Sequence, residues 1–215
     1  MDDPRKRIVA AGYDRLRGRY LAWGRAVQGD PRERMLERFA DGPVDGARVL
    51  ELGCGAGVPS TRWLAGRFEV VGIDISEKQI DLARSNVPEA AFIHGDFTAH
   101  PFADGSFDAV VALYAISHAA RDSHARLCAD IHRWLVPGGR FLATLGATDA
   151  PDWMGDWLGG PMFFSSHDAQ ENRRLLRAAG FELRTDEIVA IQEPEGDISF
   201  LWIIADKPGR LASTR

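Results

Sequence analysis

Glycines alternate at Gly53, Gly55 and Gly57, and the acidic Glu51 stands two residues before the first of them. Glycine has no Cβ and tolerates positive φ, so a ligand can lie directly against such backbone. The apolar run Val49-Leu50-Glu51-Leu52 feeds this turn, and a second run, Phe68 to Ile73, ends on Asp74, 21 residues after Gly53. At about that distance a βαβ unit places the carboxylate that holds a ribose diol. The chain is therefore expected to bind an adenosine-bearing molecule.

The dinucleotide fingerprint G-x-G-x-x-G is not met, because Val58 stands where its third glycine belongs. A pyrophosphate on a helix N-terminus is anionic and is disfavoured by a nearby Glu51. S-adenosylmethionine carries no phosphate, but has a sulfonium and an ammonium group, so the turn favours it over a nicotinamide cofactor.

From roughly Ala47 to Lys207 the chain resembles the class I S-adenosylmethionine-dependent methyltransferases. The resemblance rests on Glu51-x-Gly53-x-Gly55-x-Gly57, Asp74, Gly95-Asp96-Phe97, the run Phe107 to Leu113, and Leu135-Val136-Pro137-Gly138-Gly139, in that order. It implies that Gly53, Gly55 and Gly57 cradle the methionine part, with Glu51 at the ammonium or its water. Asp74 would accept both ribose hydroxyls and Ile75 would pack on the adenine. Asp96 would accept the adenine N6 hydrogens beside Phe97, and Leu113 would offer its carbonyl to the ammonium. Relatives often close an N-terminal segment over the donor, which makes Tyr20 or Tyr13 a candidate cap. The product would be S-adenosylhomocysteine.

Methyl transfer from a sulfonium is a direct displacement that asks mainly for alignment and exclusion of water. An alcohol or phenol acceptor also needs a base. His118, five residues past Leu113, is the candidate, since it follows the strand end where the crevice of an open α/β sheet lies. Trp153, Trp157, Phe163 and Phe164 are candidate walls of an acceptor pocket, with His167 beside them. The same aromatics would otherwise form a strap across the sheet edge or a homodimer contact. The expected acceptor is small and partly apolar, methylated at oxygen. Leu113-Tyr114-Ala115-Ile116 stands where relatives that methylate planar nitrogens carry an Asn-Pro-Pro-Tyr-like tetrapeptide. Small-molecule nitrogen or sulfur acceptors stay open, as do a nicotinamide-dependent oxidoreductase and a non-catalytic donor-binding module. His94, His100, His124 and His132 read as structural, and their spacing offers no metal site.

The elements that must position these residues alternate. Residues 1–43 read as a helical cap of one or two helices, broken near Gly29-Asp30-Pro31, with Asp30 as cap and Pro31 at the first helical position. Residues 44–207 read as an α/β core. Ser76-x-x-Gln79 is a capping box. Leu127, Ile131, Trp134 and Leu135 fall on one helical face. Strands are expected at 49–52, 68–74, 91–94, 107–113, 140–145, 181–192 and 197–206, the last two as a hairpin. Residues 146–166 lack a period and read as an aromatic loop or lid, and 208–215 as a mobile tail. The strand count fits a Rossmann-like three-layer α-β-α sandwich. The order 3-2-1-4-5-7-6 with an antiparallel last strand is what the resemblance implies.

At 215 residues the chain suits one α/β domain. Its net charge of −5 leaves no basic face for nucleic acid, and Arg5-Lys6-Arg7 is expected to solvate a helix face. No run of 18 apolar residues suggests a membrane span, and no secretory leader is apparent. Cys54 and Cys128 are expected to be packing residues without a disulfide, consistent with a cytoplasmic location.

Overall fold

The computed structural model describes residues 3–16 and 18–209; the expected tail lies, from residue 210 on, outside the described residues. Strands β1 (Arg48–Leu52), β2 (Glu69–Asp74), β3 (Ala91–His94), β4 (Phe107–Ala112) and β5 (Leu135–Gly146) are parallel neighbours in one sheet. A hairpin β6 (Ala150–Asp156) and β7 (Pro161–Ser166) stands apart as a second, two-stranded sheet. Strands β8 (Glu182–Glu193) and β9 (Gly196–Asp206) complete the main sheet in the order β3-β2-β1-β4-β5-β9-β8, with β9 antiparallel to both its neighbours. This is the expected seven-stranded order.

Period-two alternation divides the core. Leu50, Leu52, Val110, Phe141 and Leu201 face one side with Ile131 and Trp134 of helix α6 (His124–Trp134) and Leu176 of α7 (Ala169–Ala178). Val49, Val111 and Trp202 face the other with Met35, Leu36 and Phe39 of α3 (Arg32–Ala40) and Leu64 of α4 (Ser60–Ala65). Central strands buried on both faces read as continuous apolar runs, as here. Glu51 alternates onto the side of α3 and α4, and it is buried. Half of the expected capping box forms at α5 (Glu77–Asn86): the Gln79 amide donates to Ser76 Oγ at 3.1 Å, whereas Ser76 N donates to Asp74 Oδ1.

Several expectations are corrected. The N-terminal cap holds three helices, α1 (Pro4–Leu16), α2 (Gly18–Gly24) and α3. Helix α3 begins at Arg32, one residue late, with Arg32 N donating to Asp30 Oδ1 at 3.0 Å and Pro31 outside. The basic cluster does not simply solvate a face. Lys6 pairs with Asp96 at 2.6 Å, and Arg5 pairs with Asp3 and Asp152. The aromatic segment expected as a loop is the β6–β7 hairpin. Strand β5 begins at Leu135 and takes in Pro137-Gly138-Gly139, which were expected as a turn.

Candidate active site

The glycine turn leaves β1 with Gly53, Gly55 and Gly57 all at positive φ. Their surroundings differ. A Cβ on Gly53 would meet Ala115 Cβ at 2.4 Å, and one on Gly57 would meet Val87 and Ala83 at 3.1 to 3.4 Å. A Cβ on Gly55 would find only Gln79 Oε1, at 4.0 Å. Two of these glycines are thus required by close packing, and Gly55 alone faces open space.

Two buried carboxylates, Asp74 and Glu51, lie at the ends of β2 and β1, and Asp74 contacts Gly55. Asp74, at the end of β2, accepts from Gly55 N through Oδ2 and from Ser76 N through Oδ1, each at 2.9 Å. A carboxylate has about four lone-pair sites, so acceptor capacity remains. Burial raises the Asp74 pKa above its ordinary value, against those two amide bonds. Glu51 accepts from Thr61 Oγ1 at 2.5 Å, and burial pushes its pKa up to about 7. Arg32, opposing that rise, sits over the Tyr114 ring at 5.0 Å and pairs with Asp30 at 3.1 Å. Its Nε is enclosed with no hydrogen-bond partner among the described residues, which costs about 1–3 kcal/mol unless a ligand or water takes the bond. Tyr114, in the left-handed region at φ 58°, donates its hydroxyl to Asp30 at 2.8 Å and its backbone amide to Thr144 Oγ1.

Helix α1 lies across the carboxyl ends of the strands. Asp14 accepts from Ser76 Oγ at 2.6 Å and from Lys78 N at 3.1 Å. Asp96 is engaged by Lys6 and by the amide and hydroxyl of Thr98. Ile75 packs under α1 beside Val9, Leu16 and Phe163, while Phe97 packs on the core of the α6–α7 side and Leu113 on that of the α3–α4 side.

His118 lies in the short 3-10 turn after β4. Its Nδ1 donates to the Phe163 carbonyl at 2.9 Å, which leaves the Nε2 lone pair to accept from the Tyr13 hydroxyl at 2.8 Å. Burial without a carboxylate partner lowers the His118 pKa to about 4, so the ring is neutral near pH 7. Around it, Tyr13, Tyr20, Trp23, Trp157 and Phe164 form a continuous ring cluster, with neighbouring centroids 4.7 to 6.2 Å apart. Trp153 reaches its edge through Phe164 at 5.8 Å and is 43% exposed. Phe163 is fully buried in the apolar cluster against which Tyr13, Tyr20, Trp157 and Phe164 pack, and its carbonyl accepts from His118. His167 stands apart, with Nε2 on the Arg121 carbonyl at 3.1 Å and its ring against His124. Among the described residues no group of three or more His, Cys, Asp or Glu could hold a metal ion.

Arg32, Thr61 and Trp23 were not singled out from sequence. Arg32 had a legible signal, since it falls on the apolar stripe Met35, Leu36, Phe39 at i, i+3, i+4, i+7. A cation on that stripe must face inward.

Residues 49–139 match the sequence profile of a family described as methyltransferase domain. The chain is 36% identical over 137 residues to malonyl-[acyl-carrier protein] O-methyltransferase of Erwinia pyrifoliae, covering 64% of this chain and 50% of that one. It is 33% identical over 142 residues to demethylmenaquinone methyltransferase of Renibacterium salmoninarum, covering 65% and 59%. The chain thus spans about half the length of the curated relatives it matches. Its fold is that of 1,6-didemethyltoxoflavin-N1-methyltransferase of Burkholderia thailandensis, solved with S-adenosylhomocysteine bound, with a TM-score of 0.72 at 18% identity over 97% of this chain and 92% of the other.

Proposed function

We propose that the chain is a class I S-adenosylmethionine-dependent methyltransferase, a reading that its matched methyltransferase domain and its relatives support, and that it transfers the donor's methyl group to the oxygen of a small, partly apolar acceptor. The observation that carries the donor reading is the open space at Gly55, whose amide is held by the buried carboxylate of Asp74. Asp74 has lone pairs left for a ribose diol. Glu51 and Arg32, of opposite charge, suit the ammonium and carboxylate of an amino-acid terminus. Bound there, the donor supplies an already activated methyl group.

The chain's own part is alignment, dryness and one proton. The ring cluster shields the crevice from water. His118, held as the Nδ1–H tautomer by Phe163, presents Nε2 to a hydroxyl. With its pKa at about 4 it is a weak base, suited to accept the hydroxyl proton as the new C–O bond forms and not before. Tyr13 now occupies that lone pair, in the position an acceptor hydroxyl would take.

The test is incubation of the purified chain with metabolite extracts and donor labelled in its methyl carbon, read by mass spectrometry. The expected result is a labelled small product together with S-adenosylhomocysteine. Donor binding with no S-adenosylhomocysteine released from any extract would contradict the activity and leave a binding module.

A further inference from the structure

Just past β4, Tyr114 holds a φ of 58°, a conformation uncommon for a bulky side chain. Such a conformation persists only where the surroundings over-determine it. They do so here from β5, from β9 and from the start of α3. The Tyr114 amide donates to Thr144 Oγ1, and its hydroxyl donates to Asp30 Oδ1 at 2.8 Å. Arg32 lies over the ring at 5.0 Å, while Phe200 and Trp202 meet it edge-on at 5.0 and 5.6 Å.

Thr144 is the unusual member of this set. It is a buried hydroxyl in the apolar strand β5, between Ala143 and Leu145. Those two neighbours pack on the α6–α7 side, whereas Trp202, paired with Thr144 across the sheet, packs on the α3–α4 side. Alternation therefore turns Thr144 toward Tyr114 and α3.

The direction of the adjoining carbonyl follows from covalent geometry. In a planar trans peptide the C=O and N–H point opposite ways. The Leu113–Tyr114 peptide is trans, and its N–H is held by Thr144 on β5. The Leu113 carbonyl thus points away from β5, toward β1 on the other flank of β4. Glu51 stands opposite Val111, so Gly53 comes level with Leu113. The two turns lie close together, since a Cβ on Gly53 would meet Ala115 Cβ at 2.4 Å.

Resting on the donor reading above, we propose that Thr144 is a positioning residue for the donor's ammonium group. By holding the Tyr114 amide, its hydroxyl aims the Leu113 carbonyl at that ammonium beside the glycine turn. Asp30 and Arg32 fix Tyr114 from the other end. Thr144 acts through Tyr114 and Leu113.

Two ligands separate aiming from folding. S-adenosylhomocysteine carries the ammonium, whereas 5′-methylthioadenosine keeps the adenosine and sulfur without the amino-acid end. Calorimetry on the full chain measures both against wild type, Thr144→Val and Thr144→Ser, with thermal melts to establish that each variant is folded. Thr144→Val should lose about tenfold in affinity for S-adenosylhomocysteine and nothing for methylthioadenosine. Thr144→Ser keeps the hydroxyl and should keep most of the affinity. Equal losses for the two ligands, or undiminished S-adenosylhomocysteine binding in Thr144→Val, would overturn the proposal. If Thr144→Val does not fold, Tyr114→Phe, which removes only the Asp30 bond, should show the same selective loss at about threefold; no selective loss there would overturn it equally. Failure of the wild type to bind S-adenosylhomocysteine removes the donor reading itself. Binding without a selective loss removes only the role of Thr144.

Discussion

The state of His118 follows from what surrounds it. Its ring is enclosed, its Nδ1–H is committed to Phe163, and no carboxylate among the described residues pairs with it, so the cationic form is disfavoured and the pKa falls to about 4. An unfolded histidine titrates near 6.5, so between the two values the unfolded chain binds a proton that the folded chain refuses. The resulting stabilisation is present above about 6.5 and is lost as pH falls toward 4. It amounts to no more than about 3 kcal/mol at 1.36 kcal/mol per pKa unit. Denaturant unfolding of wild type and His118→Gln across that range should show the wild type losing stability relative to the variant as pH falls. Parallel curves would mean that His118 is accessible and ordinary. Glu51 and Glu193 have raised pKa values and act in the opposite sense, so only the difference between the two proteins isolates the histidine. The position of His118 was legible because it follows β4. Its partners were not, because Tyr13 and Phe163 meet it only through tertiary packing.

Among the elements, the glycine turn makes a divided prediction. Gly53→Ala puts a methyl group 2.4 Å from Ala115 Cβ at a φ of 69°, and should destabilise the fold by about 2–4 kcal/mol. Gly55→Ala meets open space at a φ of 52°. It should cost about 1 kcal/mol of backbone strain while weakening donor binding more than stability. Thermal melts with and without S-adenosylhomocysteine distinguish these outcomes; equal behaviour of the two variants would mean that Gly55 does not face the ligand. The turn and the strands around it were readable because glycine spacing and alternation are local signals. The β6–β7 hairpin was not. Its register shifts between Ala150 and Trp153, and Gly155 packs under the Trp153 ring. Trp153 and Met154 are both exposed, so no clean period-two pattern survives in the sequence.

Across the whole molecule, the seven-stranded order positions everything else. It brings the ends of β1, β2 and β4 together at the edge proposed to face the donor, and sets the β8–β9 ribbon on the opposite flank. Helix α1 then ties these ends together through Lys6–Asp96, Asp14–Ser76 and Tyr13–His118. The sheet was legible because each strand carries its own apolar run, whereas the strap of α1 depends on polar contacts between residues 62 to 105 positions apart. The most direct measurement is isothermal calorimetry of the full chain with S-adenosylhomocysteine, beside Asp74→Ala and beside a reduced nicotinamide dinucleotide. Binding to wild type, weakened at least about tenfold in a folded Asp74→Ala and absent for the nicotinamide, is the predicted result. No heat with S-adenosylhomocysteine, or binding of the nicotinamide in its place, would contradict it.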